Sequence, residues 1–469
     1  MDLTGVSQIM ERMKTLRKIE LSEHFTIGKM VVYSLPAIFE SFATTSFQAV
    51  DGYFVSNFLG INPYAALGLI APVFFMLYAL GFMFGDGAAA LVSQYMGEGD
   101  KEHGKRVFTM TTVVMLITGL VVGIIVAVMM PEIARLVRAD ESNIQYCVAY
   151  GRTMVYFLPL YMVNSAYMSL WITAEKSWYG MIVSAINGAT NVVLDWVFMG
   201  PLDMGITGAA LASSLGAAIA AVITLVYFSR PNQSSLRFVR FNGQDLKEIV
   251  KICTNGASGM VDTIVSNLTA MLMNFQLLRF LGESGVAAAN VFDYILELFM
   301  AIIFGITTTS VTVVGYKYGE KRRDELDSLI RVNAVLTLSL GVLTTVLLRV
   351  LAGSVVSLYL GYDPETYNIA VHATRIMGIS CIFMGFNIFV SSFFTGMGNG
   401  LVSAIISVFD SLILPIVMLY VLPAIFGVDG IWYANPAAMA CTFLICLLVL
   451  SVAYYRKQDI WEDDEEDEE

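Results

Sequence analysis

Phe58-Leu59-Gly60 and Phe280-Leu281-Gly282 are one stretch of sequence written twice, 222 residues apart. The same offset joins Gly97-Glu98 to Gly319-Glu320, and Gly205-Ile206-Thr207-Gly208 to Gly427-Val428-Asp429-Gly430. The chain is therefore an internal duplication. Each copy consists of long apolar runs parted by short polar loops, which reads as a membrane protein of two related halves with a working cavity between them.

Composition leads to the same solvent. Hydrophobic residues make up 57% of the 469 and charged residues only 14%, with a mean hydropathy of +0.69; this excludes a soluble globular chain, and with it a soluble enzyme. A hydrocarbon slab of about 30 Å takes roughly 20 apolar residues per helical crossing. About twelve such runs occur, centred near residues 45, 80, 118, 160, 190, 218, 265, 300, 340, 380, 412 and 443. Helices rather than strands are expected, because a backbone inside lipid must satisfy its own hydrogen bonds within the segment. The predicted fold is all-α and integral to the membrane: twelve transmembrane helices in two six-helix bundles related by a pseudo-two-fold axis. The divisions fall at 1–26 (a polar amino-terminal segment), 27–229 (first lobe), 230–247 (linker), 248–455 (second lobe) and 456–469 (acidic tail).

The net charge of −12 comes mostly from the closing run Trp461 to Glu469, read as a disordered, solvated tail. The distribution of Lys and Arg says more. With loops assigned alternately to two sides, one side collects Arg12, Lys14, Arg17, Lys18, Lys29, Lys101, Lys105, Arg106, Lys176 and the basic residues of 230–251, 317–331 and 456–457. The other keeps only Arg135, Arg138, Arg152, Arg279, Arg349 and Arg375. Both termini are thus expected in the cytoplasm. The first 26 residues lack the apolar core of a signal peptide, so the first helix is expected to direct insertion.

Soluble-site motifs do not survive inspection. Gly99, Gly104 and Lys105 spell the start of a phosphate-binding loop, but Arg106 stands where a Ser or Thr must hold magnesium, and no strand precedes it. Cys147, Cys253, Cys381, Cys441 and Cys446 form no spaced set. His24, His103 and His372 have no second ligand at metal spacing. No cofactor is expected, and no nucleic-acid partner; energy for transport would come from an ion gradient.

Inside lipid a carboxylate is costly, so each one within a span is a candidate for function. Asp51 lies 9 residues before Gly60, Asp195 lies 10 before Gly205, and Ser213 lies 8 after Gly205. At about 1.5 Å per residue these reach nearly the same depth. Asn187, Asn191 and Asp195 follow at i, i+4 and i+8, on one helix face. Two carboxylates with amides and a hydroxyl suit a proton or a small hard cation; if sodium is the ion, Asp51 and Asp195 are its metal ligands. The second lobe differs: Asp51 and Asp195 have Met273 and Val417 as counterparts, whereas Glu40 and Asp262 are counterparts of each other. Asp293 and Glu297, one turn apart, and Asp410 complete a set of acids expected to bind cargo in an acidic, Met- and aromatic-lined cavity, a chemistry suited to lipophilic cations. Asp86, between Gly85 and Gly87, reads either as a cavity acid or as a helix tie.

Several segments together resemble the multidrug and toxic compound extrusion (MATE) family over residues 25 to 455. They are Pro36 through Val-Asp-Gly-Tyr-Phe-Val (50 to 55), Leu-Val-Ser-Gln-Tyr-Met-Gly-Glu-Gly-Asp (91 to 100), Asn191-Val-Val-Leu-Asp195, Gly208-Ala-Ala-Leu-Ala-Ser213 and Val-Gly-Tyr-Lys-Tyr-Gly-Glu (314 to 320). The last is similar to the DinF-like branch. The resemblance implies two six-helix bundles forming a V, antiport driven by protons or sodium, and export of cationic drugs from a prokaryotic cell across its inner membrane. It also implies cation coupling at Asp51, Asn191 and Asp195, with Ser213 keeping a hydroxyl where the branch often has Thr. The expected partners are small organic cations and the lipid bilayer, and the expected state is a monomer. The competing readings are a lipid-linked sugar flippase of the wider superfamily, whose anionic cargo would demand a basic cavity, and a channel without alternating access.

Overall fold

The structure, a computed structural model, describes residues 19–137, 139, 141, 143–360 and 363–466. Among these there is no strand. The first half comprises α1 (Ile27–Leu59), α2 (Ile61–Gly97), α3 (Lys101–Leu136), α4 (Ile144–Tyr156 continued by Leu158–Thr173), α5 (Ser177–Met199) and α6 (Gly205–Ser229). A linker ending in the 3-10 turn Gly243–Lys247 leads to the second half. There, α7 and α8 together fill Glu248–Gly319, reversing at Gly282. They are followed by α9 (Arg323–Leu360), α10 (Pro364–Met377 and Cys381–Gly396), α11 (Gly400–Val408 through Leu414–Phe426) and α12 (Val428–Glu466). This is the all-α, twelve-helix architecture expected. Nine helical stretches among the described residues are long and apolar enough to cross a bilayer, one of them the 75-residue run that holds both α7 and α8.

The repeated glycines are repeated backbone reversals. Gly60 and Gly282 have φ of +85° and +64°, and Gly205 and Gly427 have +60° and +62°. Glycine adopts this region without the Cβ clash other residues meet there, so each copy turns sharply after its first and fifth helices. One expectation fails at the carboxyl end: no helix breaker follows Pro436 in α12, and helical backbone continues to Glu466 where a disordered tail was read. Arg12, Lys14, Arg17, Lys18, Arg138 and residues 467–469 lie outside the described residues.

The chain packs as two compact units that do not coincide with the two halves. The first takes the described residues up to Ile264 together with Ala301–Val332 and Thr395–Gly400; the second takes Val265–Met300, Asn333–Phe394 and the residues from Leu401 onward. Glycines explain why the basic ends of α7 and α8 join the first unit. A Cβ on Gly97 would lie 2.1 Å from the Tyr316 carbonyl oxygen, and one on Gly319 would lie 2.1 Å from the Gln94 carbonyl oxygen. Gln94 and Tyr316 are themselves 222 residues apart, so the contact is reciprocal, as a two-fold relation requires. Gly87 against the Ile252 carbonyl and Gly256 against the Met83 carbonyl extend this backbone-to-backbone packing along α2 and α7.

A strap formed by residues 19–25 ties the same end of the first unit. Leu21 and Phe25 are buried. The Leu21 N–H donates to Glu175 Oε1 (2.9 Å) in the turn between α4 and α5. Lys317, with no exposed side-chain surface, donates to the Ser22 carbonyl (2.8 Å) and to Glu320 Oε2 (3.0 Å). His24 Nδ1 lies 2.9 Å from Glu325 Oε2. The strap is thereby bonded to the α4–α5 turn of the first half and to the facing ends of α8 and α9 in the second.

In the second unit, Phe443 of α12 packs against Phe383 and Phe386 of α10, and Asn387 of α10 bonds to Asp410 of α11. α11 is interrupted by a π-helical turn, Phe409–Ile413.

Candidate functional site

The site forms in the first unit because two glycines let three helices approach. Gly188 of α5 lies under the Phe47 ring of α1, where a Cβ would stand 1.7 Å from a ring carbon. Gly216 of α6 faces the carbonyl and side-chain oxygens of Asn187, each 2.8 Å from where a Cβ would sit. α5 is thus drawn against both neighbours, and its polar face is shut between them.

On that face Asp195 is fully buried, and Asn191 keeps 6% of its surface. The carboxyl groups of Asp51 on α1 and Asp195 on α5 stand in direct interaction range, close enough for a hydrogen bond between them once one carries a proton. Asn191 Nδ2 donates to Ser213 Oγ (3.0 Å), joining α5 to α6 beside the acids. Both oxygens of Asp195 and Oδ1 of Asp51 are buried without a well-aligned hydrogen bond, and the Asn191 amide is the donor group nearest Asp195. Acceptor oxygens shut away with so little donation are expensive, and the donor set of two carboxyl groups, an amide and a hydroxyl suits a proton or a small hard cation.

Four of the five residues expected at the coupling site, Asp51, Asn191, Asp195 and Ser213, therefore lie together. Asn187 does not join them: it sits two turns back along α5, about 12 Å at helical rise, with its carboxamide over Gly216. Sequence reasoning also missed the opposite wall. Tyr150 and Tyr161 of α4 are buried, and both feel the charge of Asp51 and Asp195. The Tyr161 hydroxyl donates to Met154 Sδ (3.4 Å), and its ring packs edge-on against Tyr78 at 5.5 Å. Nothing in the spacing of α4 marks these tyrosines, since aromatic residues are common along membrane helices.

The acids expected to bind cargo are divided between the units. Glu40 and Asp262 belong to the first, and Asp293, Glu297 and Asp410 to the second. Glu40 is buried in mid α1. Asp262 is partly exposed on α7, whereas Asp293 and Glu297 are both exposed on α8. Asp410 is enclosed: its Oδ1 accepts from Asn387 Nδ2 (2.9 Å), which also donates to the Met439 carbonyl (3.0 Å). It lies in the π-helical turn of α11, a distortion that recurs at functional positions in helices. Asp86 accepts a short hydrogen bond from the Ser169 hydroxyl and turns its other oxygen to Gly259, so it ties α2 to α4 where α7 passes.

Comparisons with known proteins agree with this architecture. The family model described as MatE matches twice, over residues 36–197 and 260–421, once in each half. The multidrug export protein MepA of Staphylococcus haemolyticus is 23% identical over 444 residues, covering 94% of this chain and 97% of its own. The probable multidrug resistance protein YoeA of Bacillus subtilis is 24% identical over 441 residues, covering 92% and 94%. Among solved structures, an outward-facing multidrug resistance MATE family transporter of the MOP superfamily superposes with a TM-score of 0.85 at 21% identity, covering 92% of this chain and 98% of that one. A MOP superfamily transporter from Pyrococcus furiosus does so with 0.82 at 22% identity, covering 91% and 97%. A family match in each half, relatives aligned over nearly the whole chain and the shared twelve-helix fold converge: the chain belongs to the MatE family of membrane transporters and is not an enzyme.

Proposed function

We propose that this transporter is a multidrug exporter coupled to an inward flow of protons or sodium ions, with lipophilic organic cations as cargo. The observation that carries the coupling is the pair of facing carboxyl groups, Asp51 and Asp195, buried beside Asn191 with three oxygens that no well-aligned hydrogen bond satisfies. Such a pair holds one proton between its members, or one sodium ion with the Asn191 and Ser213 oxygens beside it. The names of the relatives, a multidrug export protein and a multidrug resistance protein, support export of drugs. Cationic cargo is supported by the sign of the intramembrane charges, since Glu40, Asp86, Asp262 and Asp410 are all acids. The bias of Lys and Arg toward one side supports cytoplasmic termini, and the bacterial relatives support the inner membrane of a prokaryote.

In this mechanism the ion and the cargo compete through the conformation of the first half. Ion binding removes the repulsion between Asp51 and Asp195, α1 and α5 draw together, and the change favours one of two orientations of the halves. Cargo favours the other, so each ligand lowers the affinity for its counterpart and exchange follows. Pro36 removes a backbone hydrogen bond four residues before Glu40, which places the hinge of α1 between its basic end and both of its acids. The basic face, closed by the glycine contacts and the strap, is the barrier that must part for cargo to enter.

Transport of ethidium by purified protein in liposomes tests this reading, with pH and sodium gradients imposed separately. Dye movement driven by one gradient supports it. Movement under neither gradient, or transport of a lipid pyrophosphate instead, overturns it.

A further inference from the structure

One cleft outside the acid pair lies at the basic end of α5 and α6. It is an open groove of about 620 Å3; Val222, Ile223 and Val226 form its wall, Tyr179 and Tyr227 its side, and Arg230 its rim. We propose that this cleft seats an anionic glycerophospholipid of the surrounding bilayer, with its acyl chain along the α6 wall and its phosphate on Arg230.

Each part of the cleft meets one part of that ligand. The wall is apolar yet open: Val222, Ile223 and Val226 are exposed on a helix buried in lipid, so the medium they face is acyl chain. From Val222 to Arg230 the helix rises about 12 Å, which sets the guanidinium above a strip of hydrocarbon depth rather than beside it. Arg230 enters none of the ion pairs among the described residues. A guanidinium without a carboxylate partner at this level presents a fork of donors to a phosphodiester. Tyr179 and Tyr227 stand with ring centroids 5.5 Å apart, and both rings contact Trp171. Such an aromatic group belongs at the boundary between headgroup and chain.

The rim is also held in shape before any lipid arrives. Asn232 Nδ2 donates to the carbonyls of Tyr227 (3.1 Å) and Arg230 (3.2 Å), and its Oδ1 accepts from the Ser234 N–H (2.9 Å) and hydroxyl (2.7 Å). The turn that follows α6 is thus fixed by its own side chains, leaving the Arg230 guanidinium as the group that reaches outward. A neutral lipid would fill the wall equally well but would gain less at Arg230, because its own cationic headgroup offsets the phosphate. The seat is therefore selective for net negative headgroups.

The test is native mass spectrometry of the full-length protein, incubated in mixed micelles with equal amounts of phosphatidylglycerol and phosphatidylcholine. The wild type is expected to retain phosphatidylglycerol in preference. Arg230→Gln should lower that retention about fivefold, the scale of one basic side chain at an anionic surface. Val226→Trp, which keeps every charge and fills the cleft, should displace both lipids. Arg237→Gln, an exposed linker position outside the cleft, should change nothing. Equal retention of the two lipids by the wild type overturns the proposal, as does phosphatidylglycerol retention untouched by Arg230→Gln, or an equal loss in Arg237→Gln. Lipid retention is read without transport, so the outcome is independent of the coupling reading.

Discussion

Placing a methyl group at Gly97 or Gly319 should part the basic face of the first unit without unfolding it. The added Cβ would stand 2.1 Å from a backbone oxygen of the facing helix, against at least 3.4 Å for an ordinary contact. The two helices must separate by more than about 1 Å, and because the obstacle is backbone, no side-chain rotation relieves it. Overpacking of this kind costs about 1–3 kcal/mol. Alanine also favours each helix by about 1 kcal/mol over glycine, but that gain is present whether or not the helices touch. The balance between touching and parted states therefore feels the clash alone, and about 1.4 kcal/mol shifts it tenfold. The assay is labelling of Ser93→Cys by a water-soluble maleimide, read by peptide mass spectrometry; Ser93 is fully buried against Gly315 in this contact. Gly97→Ala and Gly319→Ala should each accelerate labelling about tenfold. The double substitution should fall short of the product of the two, since one separation relieves both clashes. Labelling unchanged from the parent in both folded variants would refute the claim that this contact is a closed barrier.

Other consequences follow from the strap and the site. Lys317→Met leaves the Ser22 carbonyl and Glu320 without their ammonium donor; a loss of about 3 kcal/mol is expected, seen as a lower melting temperature and faster tryptic cleavage at Lys29. The Lys29 ammonium bonded to Glu23 holds that carboxyl below its usual value of 4.5. The stabilisation is therefore fully present above pH 4.5 and lost as pH falls through the lowered value. Both partners are more than a third exposed, so the difference between wild type and Lys29→Met should stay under about 1 kcal/mol at neutral pH and vanish in acid, as thermal melts at several pH values will show. Asn191→Leu should weaken ion binding more than Ser213→Ala, because Asn191 contributes both a nearby amide and the bond that ties α5 to α6; dye export measured against ion concentration gives the order.

Much of the architecture is legible because glycine leaves a signature that side chains cannot imitate. Gly60 and Gly282, or Gly205 and Gly427, can be matched by eye in the sequence, and each pair proves to have positive φ at equivalent turns. Counting residues from those turns also places Asp51, Asp195 and Ser213 at nearly one depth, since a helix converts number into distance, and the i, i+4 spacing puts Asn191 on the face of Asp195. A shared helix face does not give shared depth, however. Asn187 lies on the same stripe as Asn191, yet two turns of rise separate it from the acids, and Tyr150 and Tyr161 reach the pocket from α4 with no spacing to announce them. Nor does the sequence reveal that the Ala301–Val332 segment clusters with the first half. That grouping rests on backbone contacts at Gly97, Gly315 and Gly319, where the informative feature is a side chain that is missing. The π-helical turn around Asp410 is equally silent, because one extra residue in a helical turn leaves the apolar pattern almost unchanged.

Everything in the energetic account depends on Asp51 and Asp195 sharing one exchangeable ion, and the direct measurement is gradient-driven ethidium export by Asp51→Asn, Asp195→Asn and the double variant in liposomes. Each single substitution is predicted to abolish driven export while leaving dye binding intact, and the double should be no worse than either, as expected for two halves of one site. Export by Asp51→Asn at the wild-type rate, with the same dependence on the imposed gradient, would contradict it.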